Sequence, residues 1–220
     1  MYIRKRYLFF WMINFKRILL LFFIVLFFSC NSSKEIKTGD IIFRGTTKSE
    51  LSQAINDVTQ TNIKTNYTHI GVCEVIDNEV FIYHADLDKG VVKELLVDFL
   101  QSQNDTEYSA DVYRIKKTNK NKINTAIKTA NSLIGNEYNT TYILEDKGYY
   151  CSEYIYELFK KDSVFTLEPM TFKDPKTNGF HKGWITHYKE LGIDIPEGKL
   201  GCNPNVMANS ETIGFVKNIQ

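Results

Sequence analysis

The sequence contains no Gly-x-Ser-x-Gly and no P-loop, so neither a serine-nucleophile elbow nor a phosphate-cradling glycine loop is encoded. It has no Cys-x-x-Cys, and its four histidines (His69, His84, His181 and His187) lack zinc-ligand spacing. No metal and no cofactor is therefore expected. Surplus positive charge is also missing. Of 27 Lys and Arg, the first 29 residues hold Arg4, Lys5, Arg6, Lys16 and Arg17 and no acid. The remainder carries 22 basic against 26 acidic residues, a net charge near −4. That argues against a nucleic-acid partner, whose phosphates demand clustered basic side chains. Repeats and low-complexity tracts are absent, and cysteine is scarce, with four in 220 residues.

What is present begins with Ile18 to Phe28, eleven apolar residues behind Lys16 and Arg17. The run is short for a bilayer span and suits the apolar stretch of a signal peptide. Phe27-Phe28-Ser29-Cys30 resembles a bacterial lipobox, in which the cysteine is lipidated and becomes the new N-terminus. Met12 gives a more ordinary signal length than Met1; the competing reading of the run is an uncleaved anchor. The expected organisation is a signal peptide over 1–29, a lipidated polar tether over 30–38 and one domain over 39–220. Either reading puts the domain outside the cytoplasm, anchored at the bacterial cell envelope through Cys30. Cys73, Cys151 and Cys202 then remain, an odd number, with a Cys73–Cys202 disulfide one arrangement open to them.

"GDIIFRG" (39–45) reads as a strand between glycines, and Leu51, Ala54, Ile55 and Val58 form a helical stripe with Ser49 or Thr47 as cap. "YTHIGVCEV" and "VFIYHA", either side of Asp77-Asn78, predict a hairpin. "GVVKELLVDFLQ" begins extended and turns helical near Leu95, and "ADVYRIK" is a further strand. Ile123, Ile127, Ala130 and Ile134 share a helix face ahead of Gly135, a C-cap glycine by position. Ile155, Leu158 and Phe159 make the apolar stripe of a helix that opens at Cys151. Beyond Asp162 the chain reads as loops with short elements. Strands and helices neither alternate strictly nor segregate, so the fold class is α+β.

Cys151 poses the chemical question. A thiol of pKa about 8.5 is only about 3% thiolate at pH 7, and lowering it to about 6.5 takes about 2.7 kcal/mol. A helix N-terminus gives about 0.3–1 kcal/mol, or about 2 when partly buried, so a histidinium neighbour is called for. His69, entering an apolar strand, is the candidate; the alternative is a half-buried structural histidine. With Asp77-Asn78 as a two-residue turn, Ile76 opposes Glu79, Gly71 opposes His84 and His69 opposes Asp86. His84 and Asp86 are then both within reach of His69 as its orienting group, and spacing does not choose between them.

The order "GDIIFR", "YTHIG", "YHA", "YYCSE" resembles the permuted papain-like amidases of the YiiX/YaeF kind, relatives of the NlpC-type peptidases. In these the histidine strand precedes the cysteine helix. The similarity runs from about Gly39 to Phe159, and "GCNPN" (201–205) is similar to the family's closing segment. The resemblance implies a small antiparallel sheet or barrel packed on the cysteine helix, with Cys151 the nucleophile and His69 the general base. The third position, typically Glu-Ala in that group, holds His84-Ala85; histidine is common there among the NlpC relatives, which favours His84 over Asp86. "GNEYN" (135–139) looks like the family's Gly-x-Pro-Tyr segment, so Tyr138 would serve the oxyanion, a buried structural tyrosine being the other reading. Tyr67 and Tyr150 are expected in the pocket walls, His181 and His187 at the surface, and Cys73 as a small core residue.

The function implied is a lipid-anchored extracytoplasmic cysteine hydrolase that cleaves an amide, in cell-wall peptide or an N-acyl amide, through a Cys-His-His triad and a thioester. Acyl transfer of the lecithin retinol acyltransferase type, or a binding module in which catalysis has lapsed, are the alternatives on the same scaffold.

Overall fold

A computed structural model describes residues 35–46, 49–62, 65–101 and 108–220, so Cys30 and the expected signal peptide lie outside the described residues. Strand β1 (Ile41–Gly45) is buried along its whole length. Helix α1 (Glu50–Val58) starts at Ser49, whose hydroxyl accepts from Ser52 N–H at 3.0 Å. Strands β2 (His69–Ile76) and β3 (Glu79–Asp86) form the hairpin. Asp77 and Asn78 adopt φ of +50° and +69°, as a two-residue primed turn requires, and Ile76 faces Glu79. That register is the one read from the sequence, and it fixes which residues share a face.

Strand β4 (Gly90–Leu95) runs directly into the short helix α2 (Leu96–Leu100), and β5 (Ser109–Ile115) follows. Helix α3 (Lys120–Ser132) is capped by Asn119. It stops before Ile134, which is left exposed, so the predicted apolar stripe is one turn shorter than its spacing suggested. Helix α4 (Cys151–Phe159) comes next. Strands β1 to β5 make one antiparallel sheet of order β4-β3-β2-β1-β5, with a strand from late in the chain beside β5.

The region past Asp162 carries more structure than its loop-rich composition suggests. It contains β6 (Glu168–Pro169), α5 (Lys182–Leu191), β7 (Leu200–Gly201), α6 (Pro204–Ala208) and β8 (Ile213–Asn218). β6 pairs with β7, and β8 completes the main sheet beside β5, far from it in sequence. A pairing of that range has no local turn to announce it.

Alternation along the strands separates two apolar faces. Ile41, Phe43, Ile70, Val72 and Tyr83 pack against α3 and α4 through Ile127, Ala130, Tyr154 and Ile155. Ile42, Cys73, Ile82 and Val112 form the second cluster, closed by Phe99 of α2. Each fully buried aliphatic contributes about 1.5–3 kcal/mol before conformational entropy is counted. Residues 36–38, expected in the tether, pack as part of the domain. Ile36 packs on the second cluster, the Cys73 thiol donates to the Lys37 carbonyl at 2.8 Å, and Thr38 Oγ1 accepts from Val75 N–H at 2.9 Å. Among the described residues no helix is long and apolar enough to cross a membrane.

Candidate active site

Cys151 is the first residue of α4, and local backbone chemistry sets its place. Gly148 has φ +92°, and a Cβ there would lie 2.4 Å from the Glu137 carbonyl oxygen, which also accepts Tyr149 N–H at 3.1 Å. Only glycine lets this strip run so close to residues 137–139. Glu153 then reaches back to accept Tyr150 N–H at 3.0 Å, the carboxylate half of a capping box, while Asn139 Nδ2 donates to the same oxygen at 3.3 Å. Burial pushes the Glu153 carboxyl up to about 7 against the pull of those two donors.

The "GCNPN" segment clasps this helix start. Ser152 Oγ donates to the Cys202 carbonyl at 3.0 Å, and Cys202 N–H donates to the Tyr150 hydroxyl at 3.2 Å. Asn205, fully buried, accepts from Tyr67 N–H at 2.9 Å and Thr65 Oγ1 at 2.8 Å. One short stretch thus ties the cysteine helix to the chain entering the histidine strand. Nothing in its sequence spacing marked Asn205 for that task.

On β2 and β3 the two histidines meet: His69 Nε2 lies 2.8 Å from His84 Nδ1. Gly71 opens the space, since a Cβ on it would stand 2.4 Å from Ile82 Cγ2 and 3.4 Å from His84 Cβ. Phe99 packs on both rings, with centroids 5.7 and 5.0 Å away. Asp86, the other candidate orienter, is engaged elsewhere: its Oδ1 accepts Asp88 and Lys89 N–H at 3.0 and 3.1 Å, closing the turn into β4. A residue unassigned from sequence completes the row. Glu94 Oε1 sits 2.9 Å from His84 Nε2, and its Oε2 takes Lys89 Nζ at 2.8 Å. Strand alternation puts Glu94 within reach of His84 only once the β3–β4 register is known.

Cys151 is 5% exposed, and its sulfur lies 4.0 Å from the carbonyl of Thr68, the residue before His69. Burial pushes the thiol up to about 11. The Ser152 backbone N–H, the Tyr138 and Ser152 hydroxyls and the Arg44 guanidinium pull the other way without prevailing. Burial first, then Arg44 and His84, hold His69 well below the ordinary histidine range, and burial lowers His84 as well. The structure therefore reverses the expectation of a preformed thiolate. Desolvation outweighs the helix N-terminus, and the resting pair is a thiol with neutral imidazoles.

Tyr138 lines the Cys151 cavity, its hydroxyl 3.5 Å from that of Tyr142 and close enough to lower the Cys151 pKa. Burial, Tyr142 and Cys151 raise its pKa far above the usual phenol value, so it remains an O–H donor. Arg44, another residue given no role from sequence, pairs with His69 across β1 and β2. Its guanidinium lies over Phe99 and Tyr108 at 4.3 and 4.5 Å and donates to the Phe99 carbonyl.

Two cavities flank the site and share Ile55, Thr68, Tyr138 and Tyr142 as their common wall. One, of about 210 Å³, contains Cys151 and Tyr150 and is lined by apolar groups including Ile55, Val58, Met170, Phe172, Trp184 and Val206. The other, of about 290 Å³, is polar and contains His69, Arg44, Asp86 and Glu94.

Three placements differ from the sequence reading. Tyr67, expected in a pocket wall, is core: it stacks on Phe43 at 5.1 Å and its hydroxyl donates to Asp111. His181 caps α5 by accepting Gly183 N–H at 3.1 Å, and His187 Nε2 donates to the Thr140 carbonyl at 2.8 Å. Both are half-buried structural groups rather than surface residues. Cys73, Cys151 and Cys202 are all free. No Cys73–Cys202 bridge forms, because Cys73 belongs to the second apolar cluster and Cys202 to the cluster that includes Cys151.

Residues 35–217 match the family model described as permuted papain-like amidase enzyme, YaeF/YiiX, C92 family. Among solved structures, the chain is similar to the metalloprotein yiiX from Escherichia coli O157:H7, with a TM-score of 0.64 and 19% identity over 83% of this chain and 97% of that one. No curated protein matches the chain. Among the described residues no group of three or more His, Cys, Asp or Glu side chains could hold a metal ion.

Proposed function

The chain belongs to the family of permuted papain-like amidases of the YaeF/YiiX kind, and from that premise we propose that it hydrolyses an amide through Cys151, His69 and His84. The observation that carries this reading is the 2.8 Å His69 Nε2–His84 Nδ1 contact, together with a cysteine that opens a helix, lines a cavity and lies 4.0 Å from the carbonyl of Thr68, the residue before His69. The bond occupies Nε2 of His69 and leaves Nδ1 to take the thiol proton as sulfur attacks the carbonyl. Cys151 N–H and the Tyr138 hydroxyl receive the developing oxyanion. The C–N bond breaks as His69 returns the proton to the leaving nitrogen, and water then hydrolyses the thioester with His69 again as base. Although the E. coli relative is described as a metalloprotein, the described residues of this chain offer no donor set for a metal.

The apolar lining of the Cys151 cavity favours substrates whose carbonyl side is an acyl chain or an apolar residue. The polar cavity beside His69 suits the departing amine. Tethering through lipid on Cys30, outside the cytoplasm, belongs to the same proposal and rests on residues 18–30.

Purified protein lacking residues 1–34 is to be assayed on anilides of acetic, butyric and hexanoic acid and on small peptides. Burial of each methylene is worth about 0.8 kcal/mol, so kcat/KM is expected to rise about fourfold per added methylene until the cavity is filled. Flat or falling values would remove the acyl-pocket assignment. Transfer of the acyl group to an added amine in preference to water would make the protein an acyltransferase. Failure to turn over any amide or ester would leave a binding module.

A further inference from the structure

Glu94 lies outside the proposed triad and is hydrogen-bonded to its outer histidine. An ionised carboxylate only accepts hydrogen bonds. Hydrogen bonds from His84 and Lys89, against the burial that opposes them, hold the Glu94 carboxyl down at about 2, so it is ionised throughout the working range. Facing Glu94 Oε1 at 2.9 Å, His84 Nε2 must carry the hydrogen. Because His84 is neutral, its Nδ1 is then bare and can only accept. The partner at 2.8 Å, His69 Nε2, must in turn carry a hydrogen. His69 is neutral too, so its own Nδ1 is left with a lone pair.

We propose that Glu94 is a positioning residue that sets the tautomers of both imidazoles in series, so that His69 Nδ1 stays bare and able to accept a proton. This rests on the reading of His69 as general base. Without Glu94, His84 is free to carry its hydrogen on Nδ1 and donate to His69. The His69 hydrogen then moves to Nδ1, where no proton can be accepted.

On attack the S–C bond forms and the thiol proton goes to His69 Nδ1, which makes His69 an imidazolium. Its Nε2–H still donates to His84, and His84 Nε2–H still donates to Glu94, so no further proton moves. The carboxylate faces the new cation across a polarised imidazole. Arg44 and Asp86 also act on His84, with opposite signs, and neither contacts its ring nitrogens by a hydrogen bond. In the YiiX/YaeF group the resemblance places a carboxylate directly on the base; here histidine occupies that position and the carboxylate stands one ring further out.

The test is nitrogen-15 NMR of histidine-labelled protein at pH 7.5, together with the rate of Cys151 acylation by p-nitrophenyl butyrate. In the wild type both His69 and His84 are expected as Nε2–H tautomers. Glu94→Leu is expected to give Nδ1–H or mixed populations and to slow acylation about 100-fold, less than the roughly 10⁴-fold measured for a wrong tautomer in a serine protease triad. Glu94→Gln, which conserves shape should the leucine variant fail to fold, can present either oxygen or NH₂ to His84. Its rate is expected to follow its tautomer: within tenfold of wild type if Nε2–H persists, reduced like the leucine variant if it does not. Wild-type tautomers and rate in Glu94→Leu, or a rate independent of tautomer, would overturn the proposal. A wild type with the expected tautomers but no acylation would instead sink the hydrolase reading and leave the tautomer assignment standing.

Discussion

Cys151→Ala is expected to abolish amide cleavage, a loss of at least about 10⁴-fold in kcat/KM, since a nucleophile that acts with its base cannot be replaced by either partner alone. The fold is expected to survive. Alanine fills most of the space of a thiol whose hydrogen bond to the Thr68 carbonyl is long, at 4.0 Å, and helix α4 keeps its Glu153 cap. Circular dichroism should show unchanged secondary structure. Cys73→Ala provides the contrast. That thiol packs in the second cluster with Ile42, Ile82 and Phe99, so its loss should lower Tm while leaving kcat/KM within about threefold. Equal loss of activity in both variants would mean that Cys151 matters only through folding.

His69→Ala should cost about 10²–10⁴-fold at pH 7, and its pH profile is more telling than the size of the loss. With its pKa near 11, Cys151 is only about one part in 10⁴ thiolate at pH 7. In the proposed mechanism the wild type escapes this handicap because neutral His69 takes the proton during attack. His69 loses that ability only when protonated, and burial followed by Arg44 and His84 has moved its pKa down. The acid limb of kcat/KM should therefore fall below pH 6.5, with a plateau running from there well into the alkaline range. In His69→Ala the proton must leave to solvent before attack, so kcat/KM should climb about tenfold per pH unit toward the Cys151 pKa. A flat variant profile, or a wild-type acid limb above pH 6.5, would contradict this assignment.

Much of the site was legible because a two-residue turn fixes everything around it. Asp77-Asn78 sets the register of β2 and β3, and the register places His69, Gly71 and His84 together. The choice between His84 and Asp86 was not legible from spacing. It was decided by the turn that follows, whose backbone N–H groups claim the Asp86 carboxylate. Glu94 was hidden for a different reason: its partner lies on the next strand over, and β4 register depends on the loop over 87–89, which no turn signal specifies. Arg44 reads as an ordinary strand residue until its burial under Phe99 and Tyr108 is seen. The thiol pKa was misjudged because a helix start is visible in sequence and desolvation is not. Past Asp162, β8 joins β5 and Asn205 joins Tyr67 across distances that local patterns do not encode.

The most direct measurement is the site of acylation. Protein quenched within seconds of mixing with p-nitrophenyl butyrate is to be weighed intact and then mapped by peptide mass. The expected result is one butyryl group on Cys151, absent from Cys151→Ala and delayed at least about 100-fold in His69→Ala. Butyryl on Cys202 or Cys73, or labelling of Cys151 no faster than that of a free thiol and indifferent to His69, would contradict the central claim that this buried sulfur is driven onto a carbonyl by the His69 base.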